Sequence, residues 1–341
     1  MRFLKALFAL IIVVAILGAG AAGYGWSWLM GKAGEPGPFA QQTEFTVERG
    51  EGLASVAARL EANGLVADKR VVRWRARLDG HQSAIKAGAY MFPARSTVDE
   101  ILTQLVDGDV IEFRLTIPEG FTTAQILRRV EAADVLTGDM PDRPFEEGVL
   151  LPDTYAFGAG TTRTQFLERM ERAQEALLED LWPNRQAGIP VQTPYEAVIL
   201  ASIVEKETAK ATERPLIAGL FTGRLKKGMR LQSDPTIIYG VSQGEPLYNR
   251  QGQRRTLYRS EIDRKTDWNT YQIDGLPKTP ICNPGRDAIA AVLDPPETDY
   301  VFFVADGRGG HLFAETYAEH RQNVAKYRQF ERREIARERE N

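Results

Sequence analysis

The residues with the clearest chemical potential lie in one stretch, Ala201-Ser202-Ile203-Val204-Glu205-Lys206-Glu207-Thr208. Two carboxylates and an amine there follow an apolar run from Ala197 to Val204. A carboxylate carried by an apolar helix face suits general acid catalysis. Loss of hydration disfavours the ionised form and raises the pKa toward working pH.

A helix must present these groups, and its start is legible. Thr193-Pro194-Tyr195-Glu196 has the form of a capping box, with Thr193 as N-cap, Pro194 first in the helix and Glu196 third. At about 100° per residue, Glu207 shares a face with Leu200, Ile203 and Val204. Glu205 points roughly the opposite way, near Val198, Ala201 and Ser202. The bulkier stripe makes Glu207 the carboxylate expected at the edge of a core. Pattern alone leaves a second reading open: a surface helix end with Glu205, Lys206 and Glu207 all solvated.

The chain of 341 residues suggests two or three domains. Its net charge of -3 lacks the basic excess of a nucleic-acid binder, so no nucleic-acid partner is expected. The one cysteine, Cys282, excludes an internal disulfide and leaves the compartment open. Ala6 through Met30 carries no charge, enough at about 1.5 Å per residue to cross roughly 30 Å of hydrocarbon. Arg2 and Lys5 precede it, which places the N-terminus in the cytoplasm and everything after Lys32 outside. Trp26 and Trp28 suit the outer interface. A cleaved signal peptide is the alternative, because Ala19-Gly20-Ala21 resembles a cleavage site. The apolar run continues through Tyr24, Trp26, Trp28 and Leu29, which favours a retained anchor.

After a polar stalk, a strand-turn-helix pattern recurs. Phe45-Thr46-Val47 leads to a helix with Leu53, Val56, Ala57 and Leu60 on one side, and Gly88–Phe92 to one with Ile101, Leu102 and Leu105. Ile111–Ile117 alternates like a half-buried strand, and Thr122 with Gln125 forms a second capping box before Ile126, Leu127 and Val130. A helix is expected over Thr164–Leu181, a strand over Tyr300–Val304 and a charged helix from Tyr317. The pattern predicts an α+β fold: an N-terminal transmembrane helix, a small α+β module of βα units, and a mixed α/β domain carrying the acid. The expected boundaries are 1–31 for the N-terminus and anchor, 32–43 for the stalk, 44–131 for the module, 132–192 for a connecting region with a helix, 193–330 for the acid-bearing domain and 331–341 for a charged tail.

Other chemistries find little support. His81, His311 and His320 are the only histidines, and no HExxH or Cys/His cluster occurs. His311 and His320, with Glu315 and Glu319 nearby, could be drawn as a ligand set, but structural or hydrogen-bonding roles are favoured, and no metal or cofactor is expected. A G-x-S-x-G elbow and a dinucleotide or Walker fingerprint are lacking. Asp306-Gly307-Arg308-Gly309-Gly310-His311 reads as a turn. Met229–Thr236 and Asp267–Tyr271 mix amides, carboxylates, hydroxyls and aromatic rings, a combination that suits sugars. Ordinary loop capping and core aromatics would give the same mixture.

These segments, in order, resemble the MltG (YceG-like) endolytic murein transglycosylase family. The resemblance rests on Glu147-Gly148-Val149-Leu150-Leu151-Pro152-Asp153-Thr154-Tyr155, on Ala201–Thr208 with Glu213-Arg214, and on Gly228-Met229-Arg230-Leu231-Gln232-Ser233-Asp234-Pro235-Thr236-Ile237-Ile238-Tyr239-Gly240. Trp268-Asn269-Thr270-Tyr271, Gly275-Leu276-Pro277, Asn283-Pro284-Gly285, Phe303–Gly307 and Gly309-Gly310-His311 extend it along nearly the whole chain. It is weakest across about 132–146 and 243–266. The resemblance implies a single-pass protein of the bacterial plasma membrane, with a LysM-like module and a catalytic domain facing the cell wall. It also implies cleavage within peptidoglycan strands between MurNAc and GlcNAc, leaving a 1,6-anhydro-MurNAc end, near peptidoglycan synthases and on newly made strands. The family's catalytic glutamate, the second of Glu-Lys-Glu-Thr, falls on Glu207. Gln232, Asp234, Tyr239, Asn269 and Tyr271 are the candidates for orienting the glycan. A non-catalytic peptidoglycan-binding scaffold and a hydrolytic muramidase are the competing readings.

Overall fold

The computed structural model describes residues 2–340. Its first element, α1 (Arg2–Ala33), contains an apolar segment, Leu10–Ala33, of mean hydropathy 1.8, long enough to cross a membrane. Only its C-terminal end joins a core, through Leu29 and Ala33.

The chain forms two compact units. The first holds residues up to Phe113 together with Ala156–Gly160. In it β1 (Thr43–Val47) pairs antiparallel with β2 (Gly88–Phe92), Phe45 opposite Tyr90. Two helices, α2 (Leu53–Ala62) and α3 (Lys69–Leu78), connect these strands, and α4 (Val98–Asp107) follows. The expected single helix between the strands is therefore two. In α3, Lys69, Arg70, Arg73, Arg75 and Arg77 surround a narrow buried stripe of Val71, Val72 and Ala76, which hides its period. The apolar face expected of α2 is buried at Val56, Ala57 and Leu60, and that of α4 at Ile101, Leu102 and Leu105. The capping box of α4 is complete, Thr97 and Glu100 each accepting the other's backbone N–H.

The strand expected near Ile111–Ile117 is β3 (Glu112–Thr116), alternately exposed and half-buried, and it pairs with β4 (Thr154–Gly158). The chain passes between the two units within both strands.

The second unit contains α5 (Thr123–Glu131), α6 (Arg163–Leu181), α7 (Pro194–Glu207), α8 (Arg214–Lys226), α9 (Asp234–Ser242), the short α10 (Arg259–Ile262) and α11 (Arg286–Leu293). Then β5 (Phe302–Ala305) and β6 (His311–Ala314) form an antiparallel hairpin before α12 (Tyr317–Glu340). The glycine-rich stretch between β5 and β6 is a turn, held by Asp306 Oδ1 accepting the N–H groups of Arg308 and Gly310. Thr122 and Thr162 both head complete capping boxes. Thr193 caps α7 by accepting the Glu196 N–H, but Glu196 accepts from Gln192 rather than from Thr193. Half of that expected box forms.

Helix α7 is central to this unit. Every residue from Ala197 to Val204 is buried, as expected of a helix apolar on all sides. It packs with α8 and α11 through Leu200, Ile203, Ile217, Leu220, Ile289 and Val292. Truncating Leu200 to Ala should cost about 2–5 kcal/mol, from lost burial plus the cavity left behind. Urea denaturation reads this directly; a cost below about 1 kcal/mol would mean that α7 does not organise the unit.

Candidate active site

Because α7 is apolar all round, both of its last carboxylates emerge from a core, and the contrast between two faces fades. Glu205 is only 6% exposed. Its Oε1 faces Arg214 Nη2 at 3.3 Å and its Oε2 accepts the Gly285 N–H at 3.0 Å. Burial raises its pKa against the lowering effect of that N–H and of Arg214. Arg214 is itself buried and also meets Glu119 and Asp287. Gly285 lies so close to Glu119 that a Cβ there would overlap its carboxylate. Glu205 is thus an ion-paired anchor for the start of α11.

Glu207 has a different environment. Its Oε1 accepts one hydrogen bond, from Ser233 Oγ at 2.5 Å. Burial raises its pKa to about 7; Ser233 opposes the rise and the Asp234 charge adds to it. The solvated-end reading applies to Lys206, which is exposed, and to neither glutamate.

The partners of Glu207 come from three other segments. Ser233 sits at the N-cap of α9, but its hydroxyl makes no capping bond and is turned to Glu207. Thr270 holds the Ser233 backbone, its Oγ1 accepting the Ser233 N–H at 3.0 Å and lying 2.9 Å from Thr236 Oγ1. Thr236 Oγ1 in turn donates to the Ser233 carbonyl at 2.6 Å. Gln232, just before, has φ +50°, a conformation costly for a side chain with a Cβ, and its N–H donates to the Thr270 carbonyl. The buried Arg224 donates from Nε to the Val301 carbonyl at 2.7 Å and from Nη1 to the Leu231 carbonyl, tying the loop before Gln232 to the β5 side. Its charge also acts favourably on ionised Glu207.

The sequence candidates divide into two groups. Gln232 and Asp234 are exposed next to Ser233, and Tyr271 joins them by donating its hydroxyl to Asp234 Oδ1 at 2.8 Å. Asn269 and Tyr239 are buried. Asn269 gives its amide N–H groups to the carbonyls of Ile262 and Arg264, at 2.9 and 2.7 Å, and its Oδ1 accepts the Tyr271 N–H. It shapes the loop that carries Thr270 and Tyr271. Tyr239 stacks edge-on against Trp268 and donates its hydroxyl to Glu147 Oε2 at 3.0 Å.

Glu147 lies in one of the motifs that carry the family resemblance, but its sequence context assigns it no role. Besides Tyr239, it accepts from the Thr123 N–H, Thr123 Oγ1 and Asn283 Nδ2, at 2.7, 3.0 and 3.0 Å. Burial raises its pKa despite these donors. It joins the start of α5, the Asn283 loop and the middle of α9. Ser233 and Glu147 both stand inside the quoted motifs, so their positions were visible and only their partners were not.

His311 Nδ1 lies 2.7 Å from Glu213 Oε2, and His320 stacks on Phe302 with ring centroids 5.2 Å apart. Among the described residues no group of His, Cys, Asp and Glu is arranged to hold a metal ion. Cys282 is buried against the Ser202 carbonyl, and burial raises its thiol pKa.

A recessed carboxylic acid with one hydroxyl partner stands beside an exposed amide, an exposed carboxylate and a half-buried phenol, the arrangement of a candidate acid–base site. The YceG-like family model matches residues 45–326, and the chain belongs to that family. The chain is similar to the endolytic murein transglycosylase of Bacillus subtilis, 26% identical over 314 residues, covering 83% of this chain and 84% of that protein. It is also similar to the endolytic murein transglycosylase of Streptococcus pneumoniae, 27% identical over 323 residues, covering 82% of this chain but 57% of that longer relative. A crystal structure of a yceG-like protein from Listeria monocytogenes aligns over 83% of this chain and 99% of that one, at 23% identity and a TM-score of 0.49.

The raised pKa of Glu207 has a consequence for stability. Below about pH 4.5 the acid is protonated whether folded or unfolded and contributes no difference. As pH rises toward about 7 the unfolded chain ionises first, so stability falls, levelling off near a loss of about 3 kcal/mol. Glu207→Gln removes that loss. Urea denaturation should find the variant gaining on the wild type between about pH 5 and pH 8. A difference that stays flat across that range would contradict the burial of this acid.

Proposed function

We propose that the protein is an endolytic peptidoglycan lytic transglycosylase, with Glu207 as its acid and then its base. The observation carrying this reading is the single recessed carboxylic acid beside the Gln232–Asp234–Tyr271 set. The names of the B. subtilis and S. pneumoniae relatives support murein as the substrate. Glu207 gives its proton to the glycosidic oxygen as the MurNAc C1–O bond breaks, and the GlcNAc end departs as an alcohol. The 6-hydroxyl of the same MurNAc then attacks C1, forming the anhydro ring and returning its proton to Glu207. No water is consumed, so one carboxylate serves both halves. Gln232, Asp234 and Tyr271 contact the glycan; Asn269 and Tyr239 orient it by holding the elements that present them.

Hydrolysis is the second reading, favoured by one observation. Asp234 is near enough for its charge to raise the Glu207 pKa, and a second carboxylate is what a hydrolytic glycosidase uses to activate water. In either reading α1 anchors the chain in the plasma membrane, N-terminus inside, with the remainder facing the wall and newly made strands near their synthases. The β1-α2-α3-β2 order suits a LysM-like module that grips the glycan, within the expected span 44–131. The acid-bearing domain spans 193–330, after a connecting region over 132–192.

Full-length protein incubated with glycan strands should release anhydro-ended fragments, lighter by one water than hydrolytic products when weighed. The rate should decline as pH rises through about 7, where Glu207 loses its proton. Glu207→Gln should lower it at least ~10²-fold. Reducing ends would select hydrolysis, and wild-type rates in the variant would remove Glu207 from the reaction. Strands that bind without being cut would select the scaffold.

A further inference from the structure

A cavity of about 260 Å³ adjoins the site along α9. Its wall includes Pro235, two residues from Ser233, so at most about 7 Å of backbone separates it from the residue that holds Glu207. Ile238, Leu247, Leu257 and Ile281 line it, and most of the surface of its wall is apolar. Tyr239 contributes its ring, because its hydroxyl is turned to Glu147. Thr256 is the one lining residue whose hydroxyl has no such assignment. A wall with this much apolar surface suits alkyl groups better than sugar hydroxyls.

The charges around the cavity do not cancel. Arg255 is held by Glu261 at 2.7 Å, and Glu245 is held by Arg128. Lys206 donates only to the Gly120 carbonyl, at 3.2 Å, and Arg254 forms no ion pair among the described residues. Two cations of the lining therefore lack a carboxylate partner among the described residues, while the carboxylate of the lining, Glu245, is engaged by Arg128.

We propose that this cavity receives the acidic peptide that murein carries on the lactyl group of its muramic acid. Resting on the murein reading above, the proposal assigns the site a second specificity, for the substituent as well as the sugar. The alkyl groups of the peptide fill the apolar wall, and its carboxylates meet Arg254, which can grip one with two N–H groups, and Lys206. Binding there sets which MurNAc presents its C1 to Glu207.

Two measurements on the full-length chain test this. The first compares kcat/KM on glycan strands with intact peptides and on strands stripped of them. Wild type should favour the peptide-bearing strands at least ~10-fold, and Arg254→Glu should bring the ratio close to one. The second measures calorimetric binding of an N-lactoyl-Ala-Glu peptide, expected for wild type and weakened at least ~10-fold in Arg254→Glu. A ratio unchanged by the substitution, or a wild type that does not bind the peptide, overturns the proposal. If neither strand is cut yet the peptide binds through Arg254, the murein-cleavage reading fails and the peptide site stands.

Discussion

The site depends on the burial of α7 over the two turns that precede its terminal glutamates. With Ala197 through Val204 all enclosed, the helix has no wet side onto which its terminal glutamates can turn. Their hydration must be replaced by protein groups, and the number of replacements separates them. Glu205 receives an N–H and a guanidinium, and Glu147, elsewhere in the same unit, receives four donors. Glu207 receives one hydroxyl. Burial pushes all three upward, and for Glu207, which receives the fewest donors, the rise brings the acid to about 7, where gain and loss of a proton are both accessible.

That sparse solvation has to be guarded by long-range structure. Ser233 approaches Glu207 because Thr270 and Thr236 fix its backbone and because Arg224 holds the preceding carbonyl at Leu231. The left-handed conformation of Gln232 is tolerated in the same place, with its N–H paired to Thr270. An N-cap serine that leaves its helix uncapped forgoes roughly 1 kcal/mol of local stability. Local rules broken together at one spot, each held by residues distant in sequence, are characteristic of a functional site.

Legibility followed the range of the interactions. The capping box at Thr122 is a four-residue event and is legible in the sequence, as are the strand alternation of β3 and the turn after Asp306; the boxes at Thr97 and Thr162 are equally local but form no part of the sequence expectation. The period of α3 was hidden by its arginines, and α8 by burial on nearly every side, which leaves no polar face to mark a helix. The helical wheel sends Glu205 and Glu207 to different sides of α7, and in the fold they meet different partners. The wheel could not know that α11 would cover Glu205 from the far side through Gly285. Likewise, the hydroxyl of Tyr239 finds Glu147 and that of Ser233 finds Glu207 across separations of 92 and 26 residues. No local pattern encodes such pairings.

The two helix ends that meet here also divide the electrostatic labour. Glu207 closes α7, where the unpaired carbonyls of a helix C-terminus disfavour a negative charge. Asp234 opens α9, where the unpaired N–H groups of an N-terminus favour one. The end of α7 therefore favours the protonated form of Glu207, and the Asp234 charge at the start of α9 pushes its pKa the same way. Each group also receives one hydroxyl, Glu207 from Ser233 and Asp234 from Tyr271. The proton affinity of Glu207 is thus set by where the chain places it, at the end of one helix and against the start of another, as much as by the acid itself.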